Sequence, residues 1–304
     1  MGHSHDQHHH DHLGQHHHSA ISNLKLAFFL NLGFTVIEFI GGMWTNSTAI
    51  LADAVHDLGD SFALAQAWYF ESVSGKEATK KYTYGYRRFT LLGAVISALV
   101  LLLSSFYVLS EAIPRIVTPE SSNAQGMVML ALLGVGVNGF AMLRLAKGQS
   151  ENIKVVALHL LEDVLGWVAI LVVAVILLFK DVPVLDPILA VLITVYILAN
   201  VVKRLKQILP VFLQATPDSA SITSIEQQIE SLEWVDSVHH LHLWSLDGER
   251  AVLTAHIVTG SVLTSEEYAN LKQRLRSIVD THGVYHSTFE IEWPDETCRL
   301  EHLT

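Results

Sequence analysis

Charged residues and cysteine are scarce in this 304-residue chain. Only 16% of its residues are Asp, Glu, Lys or Arg, while 50% are hydrophobic; soluble domains carry about 25% charged residues. Its single cysteine, Cys298, excludes an intrachain disulfide and a thiolate cluster. The first 20 residues contain no apolar stretch, so they do not form a signal peptide. The low charge and high hydrophobic content indicate a membrane protein.

Histidine is concentrated at the N-terminus, where nine of the 18 histidines fall within the first 18 residues. Such a composition is typical of low-complexity metal-binding segments. It predicts a disordered His-rich segment over residues 1–23 that binds metal ions weakly and is dispensable for the function of the rest of the chain. A leftover purification tag is the alternative, but the interruptions by Asp, Gln, Ser, Leu and Gly argue against it.

Long apolar segments fill the part of the chain between residues 24 and 208. A spanning helix needs about 20 apolar residues, and six segments approach that length: roughly 25–45, 48–71, 88–111, 125–146, 153–179 and 184–203. The second and fifth segments carry acids. They still read as spans, because lipid leaves the backbone no alternative to a helix. The sequence therefore predicts an α-helical membrane protein with six transmembrane helices.

Basic residues in the loops predict the orientation of these helices. One set of loops is rich in them: Lys76, Lys80, Lys81, Arg87 and Arg88 after the second span, Arg144, Lys147 and Lys154 after the fourth, and Lys203, Arg204 and Lys206 after the sixth. The opposite loops carry only Arg115 and Lys180. Both termini are therefore predicted to be cytoplasmic. Short loops favour a bacterial inner membrane.

The tail over residues 209–304 has the pattern of a small cytoplasmic α+β domain. Helical and alternating segments follow one another in the order αββαβ, with a turn at "DGE" and a helix that ends at Gly283. From Gln214 onward the tail has 15 acids and five bases, a net charge of −10. This charge argues against a nucleic-acid partner and is compatible with cation binding.

The two histidines within the predicted spans share one motif. His56 and His159 are each followed four residues later by an aspartate, Asp60 and Asp163. Residues i and i+4 lie about 40° apart on a helix, so each helix presents one imidazole and one carboxylate on one face. Two such helices facing each other supply a four-ligand set that suits tetrahedral Zn²⁺. A pair of unrelated hydrogen-bonded contacts is the alternative, and the repetition of the motif disfavours it.

Four of the other acids in the spans have separate interpretations. Asp53 shares a face with the His56 pair but lies one to two turns away, which fits an access path, a helix cap or a packing role equally well. Asp57 lies about 100° from His56 and is predicted to be an interhelical hydrogen-bond partner. Glu38 is isolated, and a polar contact between helices is expected. Glu162 lies about 100° from Asp163, so binding of one ion by both acids is not expected.

Four segments, "NSTAILADAVHDLGD", "YTYGYRRFTLLG", "ALHLLEDVLG" and "VHHLHLW", resemble the cation diffusion facilitator (CDF) family of zinc exporters. The resemblance covers residues 24–293 and is closest to the bacterial zinc-efflux and vesicular zinc-transporter branch. It implies a homodimer in the lipid bilayer, a metallochaperone-like cytoplasmic domain that can hold Zn²⁺, and exchange of Zn²⁺ for H⁺. It also implies that His56, Asp60, His159 and Asp163 form the transport site.

The same resemblance places cytoplasmic metal ligands at His239 or His240, at His256 and at Glu292, with His286 as a further candidate. Simple strand alternation puts His240 and His242 on one face and turns His239 to the other. Surface histidines without a metal are the alternative. The chain departs from the family at Glu162, where Gly is usual, and its loop over residues 72–88 has no histidine, so no site is expected in that loop.

Three other functions are alternatives to zinc efflux. An intramembrane metallohydrolase would need a motif such as H-E-x-x-H, which the sequence lacks, and a closed four-ligand site leaves no position for catalytic water. A metal sensor would not need ligands at membrane depth. An exporter of Co²⁺, Cd²⁺, Fe²⁺ or Mn²⁺ differs only in its ion, and the N₂O₂ ligand set favours Zn²⁺ without excluding Co²⁺ or Cd²⁺.

Overall fold

The computed structural model describes residues 11–74, 78–145, 151–218 and 220–298. Long helices make up its first two thirds: α1 (Asp11–Thr45), α2 (Thr48–Ser74), α3 (Arg88–Val117), α4 (Ala124–Leu145), α5 (Glu151–Phe179) and α6 (Leu185–Phe212). Each of these helices coincides with one predicted span. Helices α1, α2, α3 and α6 extend beyond the predicted spans, and α3 and α6 continue through Pro114 and Pro210.

Hydropathy separates α2 from the other helices. The candidate membrane spans are Ala27–Thr45, Arg88–Val117, Ala124–Leu143, Leu158–Phe179 and Leu185–Phe212. Helix α2 is long enough, but it carries Asp53, Asp57, Asp60 and Glu71, and this charge lowers its hydropathy. The predicted helical transmembrane domain is confirmed. Five of its helices have the length and hydropathy of a membrane span, whereas the place of α2 among them follows from its packing against neighbouring helices.

Close packing of α1 with α2 and of α4 with α5 forms the core of the helical unit. Ile50, Met127 and Trp167 are among its fully buried side chains. Gly134 on α4 lets Trp167 approach, since a Cβ at this glycine would lie 2.1 Å from the indole ring. The packing thus brings one face of α2 into the interior of the bundle.

The N-terminal part of α1 corrects one prediction. Residues 11–23 were expected to be disordered, but α1 begins at Asp11. No proline interrupts this stretch, so it can continue the helix that the apolar segment begins. The remaining part of the predicted His-rich segment, residues 1–10, lies outside the described residues.

The C-terminal part has the predicted αββαβ order: α7 (Ile222–Glu230), β1 (Val235–Ser245), β2 (Ala251–Thr259), α8 (Ser265–Thr281) and β3 (Val284–Glu292). The strands form one sheet in the order β1-β2-β3, antiparallel between β1 and β2 and parallel between β2 and β3. Ile225 and Ile229 of α7 and Leu271 and Leu275 of α8 are fully buried in a core that also contains Leu253 of β2.

Local sequence signals position these elements. Ser221 caps α7, and Thr264 and Glu267 form a capping box at the start of α8. The hydrogen bonds from the Thr264 backbone and side chain hold the pKa of Glu267 below its usual value. Gly283 has φ of 68° after α8, a left-handed conformation that glycine adopts without strain. The predicted small α+β domain is confirmed.

The chain divides into two compact units. One contains α1, α2, α4, α5 and most of α3 and α6, and the other contains the segment before α3, the end of α6 and the α+β domain. The predicted domain limits at residues 24–208 and 209–304 stay predictions.

Candidate metal centres

The repeated motif of α2 and α5 converges on one carboxylate oxygen. His159 Nε2 of α5 lies 2.8 Å from Asp60 Oδ2 of α2. His56 Nε2 lies 3.6 Å from the same Oδ2 atom, as expected for residues at i and i+4 on one helix. The His56 and His159 rings are 6.1 Å apart. One carboxylate therefore faces two imidazoles across the α2–α5 contact.

Ligand atoms in this membrane cluster are left unsatisfied. Among the described residues, neither Asp60 Oδ2 nor His56 Nδ1 has an aligned hydrogen-bond partner, although both atoms are buried. Asp163 lies one turn beyond His159 and interacts electrostatically with both histidines and with Asp60. Buried polar atoms without partners are costly, and a bound cation would satisfy them. The cluster thus has the donor set of a cation site.

Two polar anchors hold α2 in place. Asn31 of α1 donates to the Asp57 carbonyl oxygen at 3.0 Å and to Ser61 Oγ at 2.9 Å. At the other end, Asp186 of α6 accepts hydrogen bonds from the backbone and hydroxyl of Thr48, at 2.6 and 2.7 Å. These contacts fix the helix on either side of His56. Because α2 is the least apolar of the six helices, it depends on them for its position.

The other acids of the spans lie around this cluster. Asp53 and Asp57 are buried, and Asp53 Oδ1 would lie 3.5 Å from a Cβ at Gly166 of α5, so Asp53 packs against that helix. Glu38 of α1 is buried beside Asp57. Glu162, in contrast, is exposed. The predictions for these acids stay predictions, with Glu162 directed away from the half-buried Asp163.

A second group of ligands lies in the cytoplasmic domain. One ligand atom from each of His239, His256, Glu292 and Cys298 lies within 4.8 Å of the others. Two short contacts join them: His256 Nδ1 to Glu292 Oε1 at 2.6 Å and His239 Nε2 to Glu292 Oε2 at 3.2 Å. Cys298 Sγ lies 3.6 Å from His256 Nδ1. Two nitrogens, one oxygen and one sulfur make a ligand set that suits a tetrahedral metal ion.

A bulge in β1 builds this cytoplasmic group and corrects the expected alternation of side chains. The register between β1 and β2 shifts between His239 and His242, and His240 has φ of 48°. Simple alternation would place the His239 and His240 rings on opposite faces of the strand. The ring centroids of both instead lie close to that of His256, at 5.2 Å for His239 and 5.1 Å for His240. The extra residue of a bulge turns a side chain out of the regular alternation.

The ionisable groups of the cytoplasmic cluster influence one another. Burial acts to raise the pKa of Glu292, but the hydrogen bond with His256 and the nearby His239 hold this pKa below its usual value. Burial, followed by the neighbouring imidazoles of His256 and His239, lowers the pKa of His240. An ionised Glu292 and a neutral His240 are the forms that bind metal.

Two cytoplasmic residues differ from expectation. His286 lies apart from the cluster, because β3 pairs it with Val252 and its ring packs against Tyr84, 5.7 Å away. Sequence reasoning missed Cys298 as a ligand, because a single cysteine serves there only to exclude a disulfide and a thiolate cluster. It follows β3 by six residues, and a turn from Trp293 to Glu296 reverses the chain before it. The sequence does place this cysteine six residues after Glu292, at the end of a predicted strand, and this short separation could have indicated a further metal ligand.

Family comparison agrees with both halves of this architecture. Residues 24–213 match the cation efflux transmembrane domain, and residues 217–292 match the cytoplasmic domain of cation efflux proteins. The chain belongs to the cation efflux family. The resemblance to CDF transporters is thereby confirmed, and this cation efflux protein is a multi-pass membrane protein.

Individual relatives of this cation efflux protein match over almost their whole length. The metal cation efflux system protein CzcD of Cupriavidus metallidurans is 35% identical over 94% of this chain and 89% of its own. A cadmium, cobalt and zinc/H(+)-K(+) antiporter of Bacillus subtilis is 31% identical over 91% of each chain. The zinc transporter ZitB of Escherichia coli is 31% identical over 89% of this chain and 87% of its own.

Proposed function

We propose that this cation efflux protein exports Zn²⁺ from the cytoplasm in exchange for H⁺ by alternating access. The observation that carries the proposal is the convergence of His56 and His159 on Asp60 Oδ2, at 3.6 and 2.8 Å. Two helices thereby bring together halves of one ligand set. With Asp163, the set comprises two imidazoles and two carboxylates.

The ligand set explains a preference for zinc. Imidazole nitrogen and carboxylate oxygen together suit Zn²⁺ in tetrahedral geometry. Asp60 Oδ2 faces both imidazoles, at 2.8 Å from His159 Nε2 and 3.6 Å from His56 Nε2, so an ion that binds between them replaces these contacts with metal–ligand bonds. The ion also neutralises a carboxylate whose burial is costly.

Proton exchange follows from the chemistry of the ligands. Metal binding requires neutral histidine and ionised aspartate, so protons compete with the metal for the same atoms. Histidine titrates at about 6.5, which lets a modest rise in proton concentration displace the ion. The Bacillus subtilis relative is named a cadmium, cobalt and zinc/H(+)-K(+) antiporter, which supports exchange in this chain.

The distribution of basic residues supports cytoplasmic termini. The bacterial relatives support residence in the inner membrane. In this orientation the turn between α1 and α2 lies on the outer side. The cytoplasmic domain is the proposed contact of a homodimer, and the membrane unit takes up ions from the cytoplasm.

The cytoplasmic cluster is a proposed second zinc site with a structural or regulatory role. Its ligands are His239, His256, Glu292 and Cys298, whose atoms lie within 4.8 Å of one another. His239 Nε2 is buried and has no aligned hydrogen-bond partner among the described residues, so the site contains an atom that a metal would satisfy. When bound there, Zn²⁺ would hold the segment after β3 against β2.

Zinc flux in everted membrane vesicles tests the proposed exchange. Uptake should require an inward-acid pH gradient and should dissipate that gradient, because each ion that enters displaces protons. Replacing Asp163 by Ala should abolish both effects. Uptake that neither needs nor dissipates the gradient would contradict exchange, and flux retained by Asp163→Ala would exclude the proposed ligand set.

Export of Cd²⁺ and Co²⁺ together with Zn²⁺ is a second candidate function. The names of the Bacillus subtilis and Cupriavidus metallidurans relatives specify cadmium and cobalt or metal cations in general. Competition for zinc uptake distinguishes a broad exporter from a zinc-selective one. A fixed excess of Cd²⁺ over Zn²⁺ should reduce zinc uptake strongly if the protein exports both ions and weakly if it selects zinc.

A further inference from the structure

Glu38 is a buried carboxyl group that the proposed transport site does not use. Its side chain is 1% exposed. Neither carboxylate oxygen has an aligned hydrogen-bond partner among the described residues. An ionised carboxylate in such surroundings is unfavourable unless a cation accompanies it.

Depth along the helices places Glu38 beside the transport site but not within it. It lies seven residues before the end of α1, and Asp53 and Asp57 lie five and nine residues after the start of α2. At 1.5 Å per residue these three carboxyls lie roughly 8 to 14 Å from the α1–α2 turn, and Asp60 lies about 18 Å from it. The carboxyl group of Glu38 is thus nearer to the outer side than Asp60 is.

The charged groups that act most strongly on Glu38 are acids. They are Asp57 on α2, which is close enough to interact directly, and Asp163 on α5. Asp53 on α2 also interacts electrostatically with Glu38. Helix α4, which also packs against α1, presents Asn138 as its buried polar side chain. Among the described residues of α2, α4 and α5 named above, no basic side chain therefore balances the charge of an ionised Glu38.

We propose that Glu38 is a proton-binding residue, on the outer side of the transport site, that contributes to the exchange of protons for the divalent ion. This inference rests on the proposed function and adds one group to it. A carboxyl group without nitrogen ligands nearby is a poor site for Zn²⁺, whereas a proton neutralises it without further donors.

Electrostatic linkage couples this proton to the transported ion. A divalent cation at Asp60 and Asp163 favours ionised Glu38, so ion binding releases the Glu38 proton. When the ion leaves, a proton from the outer aqueous phase joins the carboxylate again. Each cycle thus moves the Glu38 proton inward while the ion moves outward, with no covalent change in the protein.

Calorimetric zinc titration of the purified full-length protein tests the proposal, with buffers of different ionisation enthalpy to count released protons. Glu38→Gln keeps the size of the side chain but removes the titrating group. We expect it to bind zinc within a few-fold of wild type and to release fewer protons per ion, by up to about one. Both proteins keep the cytoplasmic site, so its protons cancel in the comparison.

Three further measurements separate the explanations. Glu111→Gln, the same change at an exposed glutamate of α3, should release as many protons as wild type. Asp60→Ala should lose zinc binding at the membrane site; if it does not, the proposed function fails whatever Glu38 does. Replacing choline by K⁺ at constant pH should leave proton release unchanged.

Several outcomes would overturn the role of Glu38. They are unchanged proton release in Glu38→Gln, loss of membrane-site zinc binding in that variant, or a K⁺ dependence that disappears with it. If the variant does not fold, infrared difference spectra of the wild type decide: zinc should remove the carbonyl band of a protonated carboxyl, and its persistence would contradict the proposal.

Discussion

Asp186 should stabilise α2 far more than an ordinary surface aspartate would. It is 1% exposed and accepts hydrogen bonds from Ser47 Oγ at 2.5 Å and from the backbone and hydroxyl of Thr48 at 2.6 and 2.7 Å. Helix α2 begins at Thr48, so the carboxylate caps its free N–H groups from another helix. Replacement by Ala removes the acceptor for these three donors and for the Ala49 N–H, which lies 3.4 Å from Asp186 Oδ1.

The loss follows from those three contacts. A hydrogen bond to a charged group contributes about 1.5–3 kcal/mol, and an unsatisfied buried donor costs about 1–3 kcal/mol. The favourable interaction with the positive end of the helix dipole adds about 0.5 kcal/mol. Relief from burying the carboxylate offsets part of this sum. We expect a net loss of about 3 kcal/mol for Asp186→Ala.

Thermal unfolding in detergent measures this effect. A loss of about 3 kcal/mol should lower the Tm by roughly 6–12 °C, and Asp186→Asn should lose less because it keeps one acceptor oxygen. Asp181→Ala provides the control, since Asp181 is exposed five residues earlier and its replacement should change stability by about 0.5 kcal/mol or less. Equal Tm values for Asp186→Ala and Asp181→Ala would refute the capping role.

Three further predictions concern the metal sites and the core. Cys298→Ser should remove the thiolate-to-cadmium absorption band of the full-length protein and leave membrane zinc flux intact; persistence of the band would exclude Cys298 as a ligand. The zinc KM of transport should rise as pH falls from about 7.5 to 5.5, because protonated imidazole does not bind metal; a constant KM would exclude histidine ligation. Gly134→Ala should lower the free energy of unfolding by about 1–3 kcal/mol, because the added Cβ would clash with Trp167. Gly136→Ala is the control, since a Cβ there meets open space and should not lower stability. Equal thermal stability of the two variants would contradict a destabilising clash between the added Cβ and Trp167.

Periodicity and hydropathy predicted the features that are local in the sequence. The helices follow from apolar runs, since only a helix satisfies its backbone within lipid. The pairing of His56 with Asp60 and of His159 with Asp163 follows from the i, i+4 geometry of one helix. The αββαβ order of the C-terminal domain follows from alternating and helical segments bounded by caps and turns.

Contacts between distant residues were beyond the sequence. Asp186 lies 138 residues from Thr48, and no local pattern indicates that an acid of one helix caps another. The bulge at His240 depends on pairing with β2, so simple alternation gave the wrong face for His239. The approach of Cys298 to His256 likewise depends on how the chain turns after β3.

Zinc flux through a defined membrane site is the central claim, and one measurement tests it most directly. Uptake of radioactive zinc into proteoliposomes under a fixed pH gradient should be abolished by Asp60→Ala, because Asp60 Oδ2 faces both imidazoles. Glu162→Gln, a change at an exposed acid next to Asp163, should transport at a rate close to wild type. Undiminished flux in Asp60→Ala would contradict the account.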